Sequence, residues 1–419
     1  MDTLSQLRAD KLAGSKRLDL SCGLTEFPRE IFDLADSLEV LNLSGNRLSE
    51  LPEDFGRLHK LRILFCSENE FTRLPAVIGG CGNLSMVGFK SNRIETVDES
   101  AFPKALRWLI LTDNRIARLP SSIGNCPQLQ KLMLAGNHLV HLPDAMAACV
   151  NLELIRLAAN RFRSFPEWLF ELPRLSWLAL GGNPWSQTSC AETMAEIDWA
   201  HLRIGEKIGE GASGVIHQAH HGNNPAAVKI FKGGITSDGL PEVEMATSLA
   251  AGRHPNLIDV RAKISNHPDD RQGLVMSLID SDFVSLAGPP SLDSCTRDVY
   301  AEGCEFPPAV LLRIVRGLAS AVRQLHNRGI IHGDFYAHNV LLNQEGDCVL
   351  GDFGAASFYP QGSAVEPIEV RAFGCLLGEL LLRCPSRPEE LWKLQRRCIS
   401  EIVSERPGFA EIVDGLNQA

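Results

Sequence analysis

Two short stretches in the second half of the chain contain side chains suited to chemistry. Residues 332–339 read HGDFYAHN and residues 352–354 read DFG. The carboxylate of Asp334 could accept the proton of an attacking hydroxyl. Asn339 and Asp352 offer the hard oxygen ligands that suit Mg²⁺ held against the phosphates of ATP. These residue types could serve the transfer of a phosphoryl group, and the rest of the chain must supply the elements that position them.

A glycine-rich stretch, residues 209–214 (GEGASG), follows a predicted strand that begins at Leu202. Glycines at this spacing let the backbone close over phosphates and point amides at them. Taken alone, the stretch fits a hairpin turn or a dinucleotide site equally well. A dinucleotide fingerprint opens a helix, whereas residues 215–219 look like another strand. A third predicted strand, 226–230, carries Lys229.

Together these residues resemble the protein kinases, whose catalytic loop is HRDxxxxN and whose metal loop is DFG. The resemblance covers about residues 203–417 and includes the HPN landmark at 254–256 and the RPGF ending at 406–409. It implies that Lys229 contacts the α and β phosphates and is oriented by a carboxylate on the predicted helix 240–251. Glu242 and Glu244 are both available there, and either could be a surface charge. We favour Glu244 for its distance from the landmark.

The same resemblance assigns the remaining site residues. Asp334 receives the hydroxyl proton, and Asn339 and Asp352 hold Mg²⁺. Pro308 to Arg328 is predicted as the helix that leads to the catalytic loop. The predicted catalytic set is Asp334, Lys229, Glu244 and Asn339, and the predicted ATP site is Gly209, Gly211, Gly214, Ile216, Ala227, Lys229, Met276 and Ile279.

The chain departs from the family at three places. Gly333 stands where the family has an Arg that pairs with an activation-loop phosphate. Tyr336 and His338 stand where serine/threonine and tyrosine kinases carry Lys and Arg, which weakens the positive charge beside the transferred phosphate. Only 14 residues separate Gly354 from Glu369, whose stretch resembles the DxWxxG helix start with Glu for Asp. The activation segment, where a protein substrate usually docks, is therefore nearly deleted.

These departures leave two alternatives open. Small-molecule phosphotransferases of the aminoglycoside or choline kinase kind also use HGDxxxxN and lack this segment. A pseudokinase scaffold would keep the fold and bind nucleotide without turnover. The HPN, DFG and RPGF stretches favour a protein kinase over the first alternative. The joint presence of Lys229, Asp334, Asn339 and Asp352 disfavours the second.

The first half of the chain is a repeat array with the pattern LxxLxLxxNxLxxLP. The pattern resembles the leucine-rich repeat family over roughly residues 15–185. Its repeats begin at Leu38, Leu61, Leu84, Leu106, Leu129, Leu152 and Leu175, and its Asn column contains Asn46, Asn69, Asn92, Asn114, Asn137, Asn160 and Asn183. A short strand in each repeat buries its leucines, the Asn bonds the backbone where the chain turns, and the following Pro starts the convex segment. No single repeat closes a core, so neighbours must stack into a curved solenoid.

The third and fifth positions of each repeat face the concave side and are mostly large and apolar. Such a stripe should be covered either by the kinase-like half, by another copy, or by a separate protein partner. The predicted partner surface is Phe65, Met86, Trp108, Ile110, Met133 and Trp177.

The sequence thus predicts an α/β leucine-rich-repeat solenoid (1–185), a cap or linker (186–202), and an α+β bilobal protein-kinase-like domain (203–419). The small lobe covers about 203–278 and the helical lobe about 279–419. The net charge of −10 argues against a nucleic-acid binder. No stretch approaches 18 uninterrupted apolar residues, which predicts no membrane span. The beginning of the chain lacks a secretory apolar core and the twelve cysteines form no CxxC pair, which favours a cytoplasmic protein with reduced thiols.

Overall fold

The computed structural model describes residues 2–186, 195–211, 213–236, 238–386 and 388–418. The chain forms two compact units, Met1–Leu172 and Pro173–Ala419. The last predicted repeat, which begins at Leu175, therefore belongs to the second unit. The boundaries predicted at 185 and 203 stay predictions, and residues 187–194 of the predicted linker lie outside the described residues. Within the described ranges, no helix is long and apolar enough to cross a membrane.

The first unit is built from short strands joined by 3₁₀ turns, as a leucine-rich-repeat solenoid requires. Its concave strands pair in parallel and in register, so that Val40 lies opposite Ile63. Prolines precede many of the convex turns. Pro75 and Pro120, for example, stand immediately before 3₁₀ helices. The elements of this unit are α1 Thr3–Arg8, β1 Arg17–Asp19, β2 Val40–Asn42, β3 Ile63–Phe65, β4 Arg73–Leu74, β5 Met86–Gly88, β6 Thr96–Val97, β7 Trp108–Ile110, β8 Lys131–Met133, β9 Leu154–Arg156 and α2 Glu167–Phe170, with 3₁₀ helices at Arg29–Leu34, Phe55–Arg57, Ala76–Gly80, Ser121–Asn125 and Asp144–Ala148.

The Asn column forms a buried ladder of hydrogen bonds between neighbouring repeats. Asn69 Oδ1 accepts from the Leu48 amide at 2.9 Å, and its Nδ2 donates to Leu43 O at 2.9 Å. Asn114 repeats the arrangement, accepting from Ile94 N and donating to Phe89 O, both at 2.9 Å. Each Asn thus satisfies backbone groups that would otherwise be buried without partners.

The predicted concave stripe lies on these strands. Met86 is paired with Trp108, and the ammonium of Lys131 lies 4.1 Å from the Trp108 ring centroid. Phe65, Trp108, Ile110 and Met133 are half-buried, while Met86 is buried. A protein partner on this stripe stays a prediction.

The second unit combines a mixed sheet with a helical part, which confirms the predicted bilobal α+β architecture. In spatial order its strands are β11 (Glu196–Asp198), β15 (Val260–Ser265), β16 (Gly273–Met276), β14 (Asn224–Phe231), β13 (Gly214–His221) and β12 (Leu202–Glu210). One face of the sheet buries Val228 and Val275, and the opposite face packs Leu274 and Met276 against Met245 of helix α3 (Pro241–Ala251). The elements are β10 Trp177–Ala179, β11 Glu196–Asp198, β12 Leu202–Glu210, β13 Gly214–His221, β14 Asn224–Phe231, α3 Pro241–Ala251, β15 Val260–Ser265, β16 Gly273–Met276, β17 Val284–Ser285, α4 Pro308–Asn327, β18 Ile330–Ile331, β19 Val340–Leu342, β20 Cys348–Leu350, β21 Ser357–Phe358, α5 Glu366–Leu381, α6 Glu389–Cys398 and α7 Phe409–Gln418, with 3₁₀ helices at Pro184–Ser186, Trp199–His201, Ala337–Asn339 and Val403–Glu405.

Helix α4 is the central helix of the helical part. Its buried positions recur at helical spacing, as at Leu311, Ile314, Leu318 and Val322, and it packs against α7. The chain then enters β18 and the loop that contains Asp334. The predicted helix at 308–328 is therefore present, and it leads through β18 to the catalytic loop in the interior of the unit.

One predicted partner residue needs correction. Trp177 has the sequence position of a concave surface residue, but its side chain is 1% exposed and packs within the second unit. Its ring stacks on that of Tyr336 with a centroid distance of 4.1 Å. Trp177 is therefore unavailable to a separate partner.

Candidate active site

A cavity of about 410 Å³ lies beneath the loop between β12 and β13. This volume is within the range typical of small-molecule and cofactor sites. Its lining brings together residues far apart in sequence, including Gly211, Lys229, Glu244, Asn339 and Asp352. The cavity is therefore the place where the predicted phosphate, metal and orienting groups converge.

Lys229 and Glu244 form a buried ion pair in this cavity. The Lys229 ammonium donates to Glu244 Oε1, and the two residues are 9% and 4% exposed. Helix α3 turns Glu244 inward, whereas Glu242 is exposed. Burial, aided by the nearby charge of Asp352, raises the pKa of Glu244, while Lys229 opposes that shift. The structure thus selects Glu244 over Glu242 as the group that orients Lys229.

The catalytic loop is held from below by Glu369 of helix α5. Glu369 Oε1 accepts from the Gly333 amide at 2.8 Å, and Oε2 accepts from the His332 amide at 3.3 Å. His326 Nε2 lies 2.7 Å from Oε2. Burial opposes protonation of His326, but its bonds to Glu366 and Glu369 outweigh burial and raise its pKa to about 9. Two buried backbone amides and the His326 ring therefore share one carboxylate, next to the residue that precedes Asp334.

Asp334 and Asn339 are joined by direct hydrogen bonds. Asn339 Nδ2 donates to both the carbonyl oxygen and Oδ2 of Asp334, each at 2.8 Å. Because Nδ2 is used in these bonds, the side-chain carbonyl oxygen of Asn339 is the atom that could bind a metal. With Asp352 it makes a donor set of two hard oxygens, which fits Mg²⁺ because that ion takes one or two protein ligands and completes its shell with phosphates and water.

Asp352 occupies an uncommon backbone conformation, with φ of +51°. Its Oδ1 accepts from the Gly354 amide at 3.1 Å. A non-glycine residue in the left-handed region costs of order 1–3 kcal/mol when the surrounding structure holds it there. The loops around it are tied together, since His332 Nε2 lies 2.8 Å from Gly351 O and Gly351 N donates to Asn339 O at 2.9 Å. The catalytic and metal loops are therefore linked to each other by direct hydrogen bonds.

The glycine loop closes the top of the cavity. The Gly211 amide donates to Gly214 O at 2.9 Å, which makes the turn between β12 and β13. A Cβ on Gly214 would lie 2.7 Å from Ile230 O and 3.3 Å from Lys229 Cε. Gly214 is therefore needed for close approach of the loop to β14. Ala212 lies outside the described residues.

A carboxylate that the sequence did not indicate supports His338. Asp298 Oδ1 lies 2.7 Å from His338 Nδ1, and Asp298 Oδ2 accepts from the His338 amide at 3.0 Å. Burial lowers the pKa of His338, but Asp298, Asp334 and Asp352 outweigh it and raise that pKa. His338 lines the cavity. Asp298 therefore favours the protonated, positively charged form of His338 beside the cavity.

The predicted ATP-site residues divide into two groups. The first group lines the cavity and contains Gly211, Gly214, Ile216, Lys229 and Met276.

Gly209, Ala227 and Ile279 lie outside the lining of this cavity. Ala227 packs in an apolar cluster that includes Met276, the residue with which it pairs across the sheet. Leu341, which sequence reasoning missed, is part of the lining. The sequence feature that could have identified Leu341 is its apolar side chain, two residues after Asn339 in a short strand.

Comparison with known proteins agrees with this geometry. The protein kinase domain model matches residues 202–374, and leucine-rich repeat models match 37–58, 82–139 and 127–184. The putative cyclin-dependent kinase F-2 of Oryza sativa subsp. japonica is 30% identical over 244 residues, which cover 49% of this chain and 71% of that protein. Cyclin-dependent kinase 4 of Mus musculus is 30% identical over 220 residues, covering 48% and 67%. The serine/threonine-protein kinase PITSLRE of Drosophila melanogaster is 25% identical over 240 residues, covering 49% and 24%.

A solved structure of a leucine-rich-repeat protein from Leptospira interrogans is also similar. It is 28% identical with a TM-score of 0.40, and the match covers 42% of this chain and 46% of that one.

Proposed function

Because the chain belongs to the protein kinase family and joins leucine-rich repeats to the kinase domain, we propose that it transfers the γ-phosphate of ATP to a serine or threonine hydroxyl of a protein. The observation that carries the proposal is the convergence of Lys229, Glu244, Asn339 and Asp352 on one cavity. Asp334 is hydrogen-bonded to Asn339 at the same place. This set supports phosphoryl transfer because that reaction depends on positioning and on compensation of phosphate charge.

Each residue has a distinct part in the proposed reaction. Lys229, oriented by Glu244, binds the α and β phosphates, and the Gly211–Gly214 turn covers them. Asp334 aligns the acceptor hydroxyl and takes its proton. Asn339 and Asp352 would hold Mg²⁺, which when bound neutralises charge on the phosphates. Asn339 also fixes the Asp334 carboxylate through its Nδ2.

The acceptor class is tested by offering several acceptors in one assay. Full-length protein, γ-labelled ATP and Mg²⁺ would be incubated with the protein itself, a generic protein substrate, aminoglycosides and choline. Label on phosphoserine or phosphothreonine after hydrolysis supports the proposal. Label on a small molecule would favour the phosphotransferase alternative, and ATP binding without transfer would favour a pseudokinase scaffold.

We further propose that the repeats recruit a protein substrate or regulator. The short stretch between Gly354 and Glu369 supports this role, because a substrate that cannot dock there needs another site. The half-buried apolar stripe that includes Phe65 and Trp108 is the candidate surface. A cytoplasmic location belongs to the same proposal.

The recruitment role is tested with a double variant, Phe65→Ala plus Trp108→Ala. It should reduce phosphorylation of the physiological substrate while leaving ATP turnover unchanged. A matched control, Val140→Ala plus Val150→Ala, changes two side chains of the same unit that are 50% and 48% exposed. Equal substrate phosphorylation by the two double variants would contradict recruitment through the stripe.

A further inference from the structure

The strand of the last repeat binds the catalytic loop on both sides of Asp334. The Leu178 amide donates to Gly333 O at 3.0 Å. The Trp177 indole Nε1 donates to Phe335 O at 3.1 Å. The carbonyls that flank Asp334 in sequence are therefore both tied to adjacent residues of β10.

The Trp177 ring adds a large contact to these hydrogen bonds. It lies parallel to the Tyr336 ring, with an interplanar angle of 7° and a centroid distance of 4.1 Å. The Arg297 guanidinium also lies over the Trp177 ring, 5.2 Å from its centroid. Stacked aromatic pairs stabilise a contact beyond what the buried area alone provides. Tyr336 is two residues after Asp334, so the contact restrains the same loop.

Gly333 explains how the repeat comes this close. Its φ is +74°, and a Cβ there would lie 2.4 Å from Leu178 O and 2.8 Å from Ala355 O. Neither backbone oxygen can move aside cheaply. Gly333, which stands where the family has Arg, is therefore the residue that lets β10 pack against the catalytic loop.

The same segment also touches helix α3 and the stretch after the metal loop. A Cβ on Gly181 would lie 2.7 Å from Val243 Cγ1 and 3.3 Å from Ala356 O. Val243 precedes Glu244, the partner of Lys229. The segment thus contacts three elements that position the site: the catalytic loop, helix α3 and the chain after Asp352.

Arg406 anchors the beginning of the segment. Its guanidinium donates to Pro173 O at 2.8 Å and to Pro367 O at 2.9 Å, at the start of helix α5. Arg174 and Glu401 form a second, exposed link at 3.7 Å. The segment is therefore fastened at Pro173 and again at Trp177 and Leu178.

We propose that Trp177 is a positioning residue for phosphoryl transfer, and that residues 173–181 take over the support that the shortened activation segment does not give. The inference rests on the proposed kinase function. It assigns the last repeat a role distinct from that of the partner-binding stripe, because Trp177 acts through Phe335 and Tyr336 on Asp334 and does not touch the acceptor itself.

The test uses full-length Trp177→Leu and Trp177→Phe, with Trp168→Leu as control. Trp168 also donates its indole N–H, to Asp144 Oδ1 at 3.3 Å, but it lies in the first unit. Amide hydrogen exchange of residues 332–338 and the kcat and KM for ATP would be measured on each protein. Trp177→Phe keeps a stacking ring and removes the indole donor, so its effect should be intermediate and its folding is less at risk.

Trp177→Leu should speed exchange in residues 332–338 and lower kcat by about 100-fold, the size of effect that a small misplacement of a reacting group produces. Its KM for ATP should stay within about threefold, since the phosphate-binding residues are unchanged. Wild-type exchange and kcat in both Trp177 variants would overturn the inference, as would a rise in kcat, which would mean that the segment blocks the site. If the wild type transfers no phosphate, the kinase proposal fails, and the exchange measurement alone still decides whether Trp177 holds the loop.

Discussion

Replacing Glu369 by Gln should destabilise the catalytic loop strongly, although the two side chains have nearly the same shape. The carboxylate accepts from the Gly333 amide at 2.8 Å and from the His332 amide at 3.3 Å, and Oε2 lies 2.7 Å from His326 Nε2. A Gln has one acceptor oxygen, and its NH₂ group must face one of these donors. The variant therefore loses a buried charge pair and leaves at least one buried donor without a partner.

The magnitude follows from these losses. Breaking a buried charge pair by changing one partner costs about 3–5 kcal/mol, which includes the unsatisfied donor. In a domain of this size, that corresponds to a fall in the melting temperature of the second unit by roughly 6 to 20 °C. The rate of phosphoryl transfer should fall as well, because Gly333 precedes Asp334.

The assay is thermal unfolding of the full chain, monitored by calorimetry. The melting temperature of the second unit is determined from its own transition. Glu411→Gln is the matched control, since Glu411 forms an exposed pair with Arg397 and such pairs contribute about 0–1 kcal/mol. A melting temperature for Glu369→Gln within about 2 °C of the control would refute the assignment of Glu369 as the support of the catalytic loop.

Three further predictions concern pH, metal and the repeats. The raised pKa of His326 means that its contribution to stability, about 3 kcal/mol, is fully present below pH 6.5 and is lost as pH rises through about 9; urea unfolding across this range should show that fall in the wild type and a flatter profile in Glu369→Gln. Asp352→Asn should weaken Mg²⁺-dependent ATP binding by at least about 10-fold in calorimetric titrations while metal-free binding changes little, and equal loss without Mg²⁺ would contradict a ligand role. Asn114→Ala leaves the Ile94 amide without its acceptor, so the first unit should lose about 1–3 kcal/mol, and an unchanged melting transition of that unit would count against the ladder.

The repeat architecture could be predicted from the sequence because the repeats pack against neighbours of the same kind. The Asn column and the strand leucines reflect contacts between neighbouring repeats, and those contacts recur, as in the hydrogen bonds Leu48–Asn69 and Ile94–Asn114 that join residues 21 and 20 apart. The short strands occupy the third to fifth positions of their repeats, as at Ile63–Phe65 and Trp108–Ile110. A repeated local rule therefore sufficed for this part of the fold.

The candidate site was partly accessible for a similar reason. Its loops are short motifs whose spacing is fixed by the chemistry, and the structure brings Lys229, Asn339 and Asp352 to one cavity. The choice between Glu242 and Glu244 needed the rotation of helix α3, which depends on packing rather than on spacing. The structure turns Glu244 toward Lys229.

Contacts made once, between distant parts of the chain, left no sequence signal. Trp177 has the same position in its repeat as Trp108, yet it packs on Tyr336 because of what lies against it. Asp298 bonds to His338 across 40 residues. No periodicity or motif marks either pairing, so both required the tertiary structure.

The most direct test of the central claim is label transfer from γ-labelled ATP with Mg²⁺, using full-length wild type, Asp334→Ala and Asp352→Asn side by side. The account predicts label on protein with the wild type, and its loss in both variants, while Asp334→Ala still binds ATP. Equal labelling by Asp334→Ala, or an inert wild type that binds ATP and Mg²⁺ normally, would contradict the assignment of this cavity as a phosphoryl-transfer site.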